Sequence, residues 1–290
     1  MTAAAAFLPD ASVHGRDHDG PERLYLDLVK QCLTRSLFDD ACEVYTPRKR
    51  WTKALYPHAK QLLAARGLEL VSRRSSGPRR RAEGRDHPAA AETMIGLRRL
   101  DNLEHCVVDI LRRDVPGDLI ETGVWRGGAT IFMRAVLRAY RDTTRRVWAA
   151  DSFAGLPRPD PGVYPQDEGD AFWTWPHLAV PLEEVEANFS RYGLLDDQVR
   201  FLPGWFRDTL PNAPIDRLSL LRLDGDMYES TIVALRALYP KLAVGGYVIV
   251  DDYAGVRACK TAVDDFRSEH GIDEPLHQVD WTCVFWRRET

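Results

Sequence analysis

Short apolar runs alternate with amphipathic stretches along residues 91–290. The runs predict strands that end near Thr122, Ser152, Gly204, Asp226 and Asp252. Helical spacing predicts helices at about 91–113, 127–141, 182–193, 229–239 and 256–270. Because strands alternate with helices, we expect an α/β fold with a doubly wound, mostly parallel sheet. Two short runs at 277–280 and 282–288 predict an antiparallel edge.

The first 90 residues follow a different pattern. Residues 1–20 lack periodicity and predict a flexible leader. Helical spacing from Pro21 to about residue 40, followed by looser sequence, predicts an N-terminal helical appendage over 21–90. Its residues 72–88 combine an arginine-rich run with Gly and Pro, which predicts a mobile loop that serves as a linker or lid. The alternative, an RNA- or phosphate-binding patch, is disfavoured because no aromatic residues interleave with the arginines.

Composition narrows the function classes. The chain has 290 residues, of which 44% are hydrophobic and 28% charged, with a net charge of −4. This is typical of a globular protein, and a slightly acidic one does not favour nucleic acid or an anionic membrane as a partner. We therefore expect a small-molecule ligand. Without a signal-peptide pattern or an apolar run near the roughly 20 residues of a membrane span, a cytoplasmic location is predicted.

Carboxylates cluster where two apolar runs stop. Asp224 and Asp226 follow one run, and Asp251 and Asp252 follow the next. Open α/β sheets bind ligands at the carboxyl ends of their strands, so these side chains are expected close together. Such crowding is costly unless a cation or shared protons compensate it. The sequence therefore predicts a divalent metal site, with a helix-capping pair as the alternative for Asp251 and Asp252.

A strand, a glycine turn and a helix start follow one another at residues 118–130. The turn lacks Gly-x-Gly-x-x-Gly spacing, and Glu121 at the strand end would repel a pyrophosphate. S-adenosylmethionine fits better, because it carries an ammonium and a sulfonium but no phosphate. Asp151, at the next strand end, is placed to hold two ribose hydroxyls. Each feature alone also fits a structural turn, but together with Gly123 they predict a cofactor site.

Several longer motifs occur in a fixed order. They are Thr-Met-Ile-Gly at 93–96, Arg-Leu-Asp-Asn-Leu at 99–103, Glu-Thr-Gly-Val-Trp-Arg-Gly-Gly-Ala-Thr at 121–130, Ala-Asp-Ser-Phe-Ala-Gly-Leu-Pro at 150–157, Leu-Asp-Gly-Asp-Met-Tyr-Glu-Ser-Thr at 223–231 and Asp-Asp-Tyr at 251–253. From about residue 22 to its end, the chain resembles the macrocin O-methyltransferase (TylF-like) family. The resemblance implies a Rossmann-like class I methyltransferase domain at 91–290. It also implies that S-adenosylmethionine and Mg²⁺ are used to methylate sugar hydroxyls on antibiotics and other glycosylated natural products.

The resemblance further implies roles for single residues. Asp224, Asp251 and Asp252 would be the Mg²⁺ ligands, because carboxylate oxygens suit a hard cation. Asp226 would be the general base, with a supporting group or a further ligand as the alternative. The expected cofactor contacts are Glu121, Thr122 and Gly123 at the methionine end, Asp151 and Ser152 at the ribose, and Gly204 and Trp205 at the adenine. The aromatic segment 164–177 is expected to line the acceptor pocket or to be an ordinary surface loop.

The leading hypothesis is Mg²⁺-dependent methylation of a deoxysugar hydroxyl on a glycosylated acceptor. A catechol-like aromatic diol is the alternative acceptor, because the same cation binds any vicinal oxygen pair. A non-catalytic cofactor-binding protein is a further alternative, against which the complete aspartate set argues. The resemblance also implies a homo-oligomer, with the N-terminal helices as contact or lid elements.

Overall fold

The computed structural model describes residues 20–38, 42–45, 47, 50–68, 70–73, 78–86, 88 and 90–290. Except for Gly20, the predicted leader lies outside these ranges. The helices are α1 (Pro21–Leu33), α2 (Arg50–Ala64), α3 (Pro78–Ala82), α4 (Leu97–Arg112), α5 (Gly128–Ala139), α6 (Leu182–Arg191), α7 (Phe206–Thr209), α8 (Tyr228–Leu238) and α9 (Arg257–Glu269). The strands are β1 (Cys42–Val44), β2 (Val71–Arg73), β3 (Asp118–Thr122), β4 (Val147–Asp151), β5 (Val199–Pro203), β6 (Leu218–Leu223), β7 (Leu242–Val250), β8 (His277–Gln278) and β9 (Val284–Arg287). Short 3₁₀ turns lie at Pro165–Asp167, Phe172–Thr174, Pro176–Leu178, Leu210–Asn212 and Tyr239–Lys241.

The main sheet has the strand order β5-β4-β3-β6-β7-β9-β8. Strands β3 to β7 pair in parallel, and β9 and β8 add an antiparallel edge. From β3 the chain first runs outward to β5 and then returns to place β6 on the other side. The strand order therefore reverses between β3 and β6, which is where such sheets bind ligands. The predicted doubly wound α/β sheet with an antiparallel edge is confirmed.

A buried apolar cluster covers each face of this sheet. Leu119 and Ile120 of β3 belong to opposite clusters, because successive strand residues point to opposite faces. Helices α1, α4, α5 and α6 contribute to one cluster, and α8 and α9 to the other. Parallel strands covered on both sides are nearly continuous apolar runs, which is why the sequence pattern located them. None of the described helices has the length and apolar character needed to cross a membrane.

Helix α4 begins at Leu97, six residues later than the predicted start at 91. Residues 91–96 are irregular and bent instead, and Gly96, the N-cap of α4, lies directly against Gly84. A Cβ on Gly96 would lie 2.2 Å from the backbone nitrogen of Gly84. This close contact between the two backbones holds the segment that precedes the helix in place. The periodicity of apolar residues in the sequence gives no sign of it.

The N-terminal helix α1 packs into the main apolar core. α1 ends at Leu33, not near residue 40, and Arg35 just after it has a positive φ of 58°. Leu26 and Leu33 are fully buried in the same apolar cluster as Phe132 of α5. The apolar face of α1, which its amphipathic pattern predicts, therefore packs on the α/β domain itself.

The prediction of a loop over 72–88 is wrong for residues 72–73, which pair with β1 as part of β2, and for residues 78–86, which include α3. Arg81 forms an ion pair with the buried Asp86 at 2.5 Å and donates a hydrogen bond to the carbonyl of Thr34 at 2.9 Å. Trp281 Nε1 donates to the carbonyl of Glu83 at 2.9 Å. The charge run suggested that its arginines were solvated. Instead, Arg81 pairs with an acidic residue of the same segment, Asp86, and is held in place. Residues 74–77 and 87 lie outside the described ranges.

Candidate active site

A cleft with about 740 Å³ of empty space, part of it continuous with solvent, opens at the carboxyl ends of β3, β4, β5 and β6. Several predicted site residues line it: Gly123, Asp151, Ser152, Trp205, Asp224 and Asp226. Sequence reasoning missed other lining residues, among them Met94, Trp125, Glu229 and Ser230. All four lie inside motifs that the sequence shows, at 93–96, 121–130 and 223–231, but the motifs alone did not indicate which of their side chains face the cleft.

Gly123 brings the loops after β3 and β6 into contact. Its φ is 86°, and a Cβ at this position would lie only 1.8 Å from the carbonyl oxygen of Asp224. A residue with a side chain would therefore have to push the two loops apart. Because Gly123 and Asp224 both line the cleft, this contact fixes the distance between the two loops within it.

Gly123→Ala is expected to lower the free energy of unfolding by about 3 kcal/mol and to weaken S-adenosylhomocysteine binding by at least about tenfold. Denaturant titration and calorimetry measure the two effects. Gly193→Ala is the matched control, since Gly193 also has a positive φ but nothing lies within 4 Å of its added Cβ. For this control we expect the free energy of unfolding to fall by only about 1 kcal/mol and S-adenosylhomocysteine binding to be unchanged. Equal effects of the two substitutions would contradict the contact argument.

Arg222 of β6 is a buried cation at the centre of the acidic cluster. Its Nη1 donates to Glu121 at 2.5 Å and to Asp224 at 2.8 Å, and its Nη2 donates to Asp251 at 2.5 Å. Sequence reasoning missed this residue, although one charged side chain within the apolar strand Leu218–Leu223 is a visible signal. Two of the predicted metal ligands are therefore joined by one guanidinium.

A second buried arginine, Arg99, holds Asp251 from the other side. Arg99 lies in the first turn of α4, and its Nη1 donates to Asp251 Oδ2. Its Nε donates to Asp280 at 2.7 Å and its Nη2 to Thr282 at 2.5 Å. Both carboxylate oxygens of Asp251 thus accept from arginines, which fixes this side chain against α4 and the β8–β9 hairpin.

The predicted metal ligands converge. Asp224, Asp251 and Asp252 each offer a carboxylate oxygen, and these oxygens lie within 4.8 Å of one another. Asp252 Oδ2 is buried and has no hydrogen-bond partner among the described residues. A set of hard oxygen donors with one buried oxygen left unsatisfied fits a divalent cation such as Mg²⁺.

Two carboxyl groups of the cluster, those of Asp226 and Asp252, have a raised pKa. Burial, reinforced by the charges of Asp224 and Asp251, raises the pKa of Asp226 to about 7. Burial and the charge of Asp226 raise the pKa of Asp252 well above its ordinary value. Asp226 lies just past the end of β6 with a φ of 56° and faces the cleft. Its carboxyl group is therefore placed to accept a proton from a ligand in the cleft.

Glu121 and Thr122 lie below the cleft rather than on its surface. Glu121 is buried, where it accepts hydrogen bonds from Thr130 and Arg222, and burial raises its pKa to about 7. Thr122 is also buried. The predicted contact of Glu121 with the methionine end of a cofactor is not supported by this position, because its carboxylate faces Arg222 within the sheet.

Asp151 lies at the end of β4 and lines the cleft. Its Oδ2 accepts the backbone N–H of Val124 and its Oδ1 that of Phe153, both at 2.8 Å. Burial raises its pKa, and these backbone donors oppose that shift. Asp151 therefore shapes the loops after β3 and β4, and lone pairs remain on its oxygens for a ligand hydroxyl. Gly204, with a φ of 133°, does not line the cleft but precedes Trp205, which does.

The aromatic segment 164–177, which was expected to line the acceptor pocket, does not itself line the cleft but contacts residues that do. Its buried Asp167 accepts the backbone N–H groups of Tyr228 and Glu229 at 2.7 and 2.9 Å and so anchors the segment on the N-terminus of α8. Trp125 lines the cleft and donates from Nε1 to the carbonyl of His177 at 2.8 Å. Trp175, 45% exposed, stacks on the ring of His177. Trp175 is thus an exposed indole connected to the cleft residue Trp125 through His177.

The chain is similar to several known O-methyltransferases. The family model for Macrocin-O-methyltransferase (TylF) matches residues 22–288. A 4'-O-methyltransferase of 8-demethyl-8-(2,3-dimethoxy-alpha-L-rhamnosyl)-tetracenomycin-C from Streptomyces olivaceus is 52% identical over 91% of this chain and 92% of its own length. Demethyldecarbamoylnovobiocin O-methyltransferase from Streptomyces niveus is 47% identical over 94% and 96% of the two chains. The solved structure of the O-methyltransferase NovP is 47% identical, covers 93% of this chain and all of its own, and has a TM-score of 0.79.

Proposed function

The chain belongs to the macrocin O-methyltransferase (TylF) family, and we propose that it transfers a methyl group from S-adenosylmethionine to a deoxysugar hydroxyl of a glycosylated natural product, with Mg²⁺ bound. The observation that carries the proposal is the group Asp224, Asp251 and Asp252 beside a cleft at the strand-order reversal. A relative at 52% identity acts on a rhamnosyl tetracenomycin, which supports a sugar as the acceptor.

The cofactor would lie along Gly123, Asp151, Ser152 and Trp205. A carboxylate and a hydroxyl at the end of β4 suit the ribose hydroxyls, and the indole of Trp205 offers an apolar face for the adenine. Gly123 allows the chain to approach closely, because its position has no room for a Cβ. Glu121 would act from beneath by fixing Arg222 rather than by touching the cofactor.

Asp226 would take the proton from the sugar hydroxyl as the oxygen forms its bond to the methyl group and S-adenosylhomocysteine leaves. A base with a pKa near neutrality is suited to this step, and Asp226 faces the cleft two residues after Asp224. Asp224, Asp251 and Asp252 would hold Mg²⁺, which when bound supplies Lewis-acid stabilisation of the charge that develops on the sugar oxygen. Arg99 and Arg222 keep these carboxylates in position.

Trp175 would contact the acceptor beside the cleft. We expect Trp175→Ala to raise KM for a glycosylated acceptor about tenfold, because one aromatic stacking contact is worth about 1 kcal/mol or more. The kcat and the KM for S-adenosylmethionine should stay within about twofold, since the reacting groups lie elsewhere. Tyr140→Ala, an exposed aromatic at the far end of α5, is the control. A fall in kcat with unchanged KM would contradict this role.

An acceptor panel tests the proposed function. Glycosides with a deoxysugar, the corresponding aglycones and catechols are incubated with S-adenosylmethionine and Mg²⁺, and the products are analysed by mass spectrometry. We expect a mass gain of one methylene on the sugar of the glycoside only. Methylation of the catechol alone would favour the aromatic-diol alternative, and methylation of the aglycone would place the acceptor hydroxyl outside the sugar.

A further inference from the structure

The acidic cluster around β6 carries more carboxylates than cations. Two buried arginines, Arg99 and Arg222, contact it. The carboxylates that accept hydrogen bonds from these arginines are Glu121, Asp224, Asp251 and Asp280. Asp226 and Asp252 lie beside them, and burial together with the charges of Asp224 and Asp251 raises the pKa of both. The cluster is therefore stable only if its remaining negative charge is compensated and if the two arginines stay in place.

Arg222 is the cation that reaches two of the three proposed metal ligands. Its guanidinium spans Asp224 and Asp251 and also contacts Glu121, so it connects the ends of β3, β6 and β7. Only 2% of its side chain is exposed, which leaves it no route to solvent. Arg99 contacts Asp251 alone among the ligands and otherwise pairs with Asp280 and Thr282.

We propose that Arg222 is a built-in counter-cation that keeps the metal site assembled without a metal ion and thereby limits its affinity for Mg²⁺. The inference rests on the proposed function, since it takes Asp224, Asp251 and Asp252 as ligands. A fixed positive charge bonded to two ligands lowers the repulsion that would otherwise separate them. The same charge opposes the arrival of a second cation, so binding is weaker than at a bare aspartate set.

The variants separate the charge of Arg222 from its shape. Arg222→Met and Arg222→Gln remove the charge, and Arg222→Lys keeps it. We expect both neutral variants to bind Mg²⁺ at least about tenfold more tightly than the wild-type protein at about pH 8.5, where free carboxyl groups are ionised. Their Tm in EDTA should fall, and adding Mg²⁺ should raise their Tm by more than it raises that of the wild type. Arg222→Lys should bind Mg²⁺ within about twofold of the wild type.

Arg134→Met is the matched control for loss of a buried arginine. Arg134 is buried and binds Asp196 through two hydrogen bonds at 2.9 and 2.5 Å, on α5 and away from the acidic cluster. Its loss should lower Tm equally with Mg²⁺ and with EDTA and leave Mg²⁺ affinity unchanged. If Arg222→Met and Arg222→Gln behave like this control, Arg222 is only structural and the proposal is wrong.

Calorimetry of Mg²⁺ binding to the full-length protein, with thermal denaturation in parallel, gives both readouts without methyl transfer. If Arg222→Met is insoluble, the measurements are made on Arg222→Gln instead. A neutral variant that folds only when Mg²⁺ is present would support the proposal. Equal Mg²⁺ affinity in Arg222→Gln and Arg222→Lys would overturn it, because only one of them keeps the charge. Failure of the wild type to bind Mg²⁺ would instead refute the metal part of the proposed function.

Discussion

Asp226→Asn is expected to lower kcat by about 100- to 10,000-fold, the usual contribution of a general base. The substitution keeps the shape of the side chain but removes its ability to accept the proton of the sugar hydroxyl. Asp226 lines the cleft, and no other carboxylate of the cluster except Asp224 does so. Binding of S-adenosylhomocysteine should remain within about threefold, because the cofactor contacts lie on other loops.

Steady-state kinetics and calorimetry on the same preparation separate these effects. Asp208→Asn, an exposed acid on the nearby α7, is the control and should retain wild-type kcat. If Asp226→Asn instead keeps kcat and weakens Mg²⁺ binding, Asp226 is a metal ligand rather than the base.

Asp252→Asn is expected to weaken Mg²⁺ binding by at least about tenfold and to reduce kcat by about 100-fold or more. Asp252 is the most informative of the three proposed ligands to replace, because its Oδ2 has no hydrogen-bond partner within the described residues. Replacing Asp251 would also break its contacts with Arg99 and Arg222, so its effect would mix metal binding with folding.

The stability of Asp252→Asn without Mg²⁺ also tests whether Asp252 is a metal ligand. Burial, reinforced by the charges of Asp226, Asp224 and Asp251, raises the pKa of its carboxyl group. Removal of this charge should leave the Tm in EDTA unchanged or higher, and the stabilisation by Mg²⁺ should disappear. A variant that retains wild-type Mg²⁺ affinity would contradict the assignment of Asp252 as a ligand.

The sheet was predictable because its strands are buried on both faces and read as apolar runs. Helices α5, α6, α8 and α9 agree with prediction to within about two residues, since their polar and apolar faces alternate clearly. The later start of α4 was not predictable, because it depends on the contact between Gly84 and Gly96. The packing of residues 78–86 depends likewise on Asp86 and on Trp281, which lies almost 200 positions away.

The acidic residues of the site were predicted from the sequence, whereas the arginines that bind them were not. Asp224, Asp226, Asp251 and Asp252 follow apolar runs directly, and strand ends meet at one edge of a parallel sheet. Arg222 and Arg99 lie within a strand and a helix, and only the fold brings them to Asp251. Glu121 pairs with Arg222 because the two face each other on neighbouring strands. The predicted homo-oligomer and cytoplasmic location stay predictions.

The most direct measurement is the initial rate of methyl transfer from labelled S-adenosylmethionine to a deoxysugar glycoside, with the enzyme first treated with EDTA and then titrated with Mg²⁺. The proposed mechanism predicts negligible transfer in EDTA and recovery of the full rate as Mg²⁺ saturates the site. Recovery should fail in Asp252→Asn. Transfer at the same rate with and without Mg²⁺ would contradict metal-dependent catalysis at Asp224, Asp251 and Asp252.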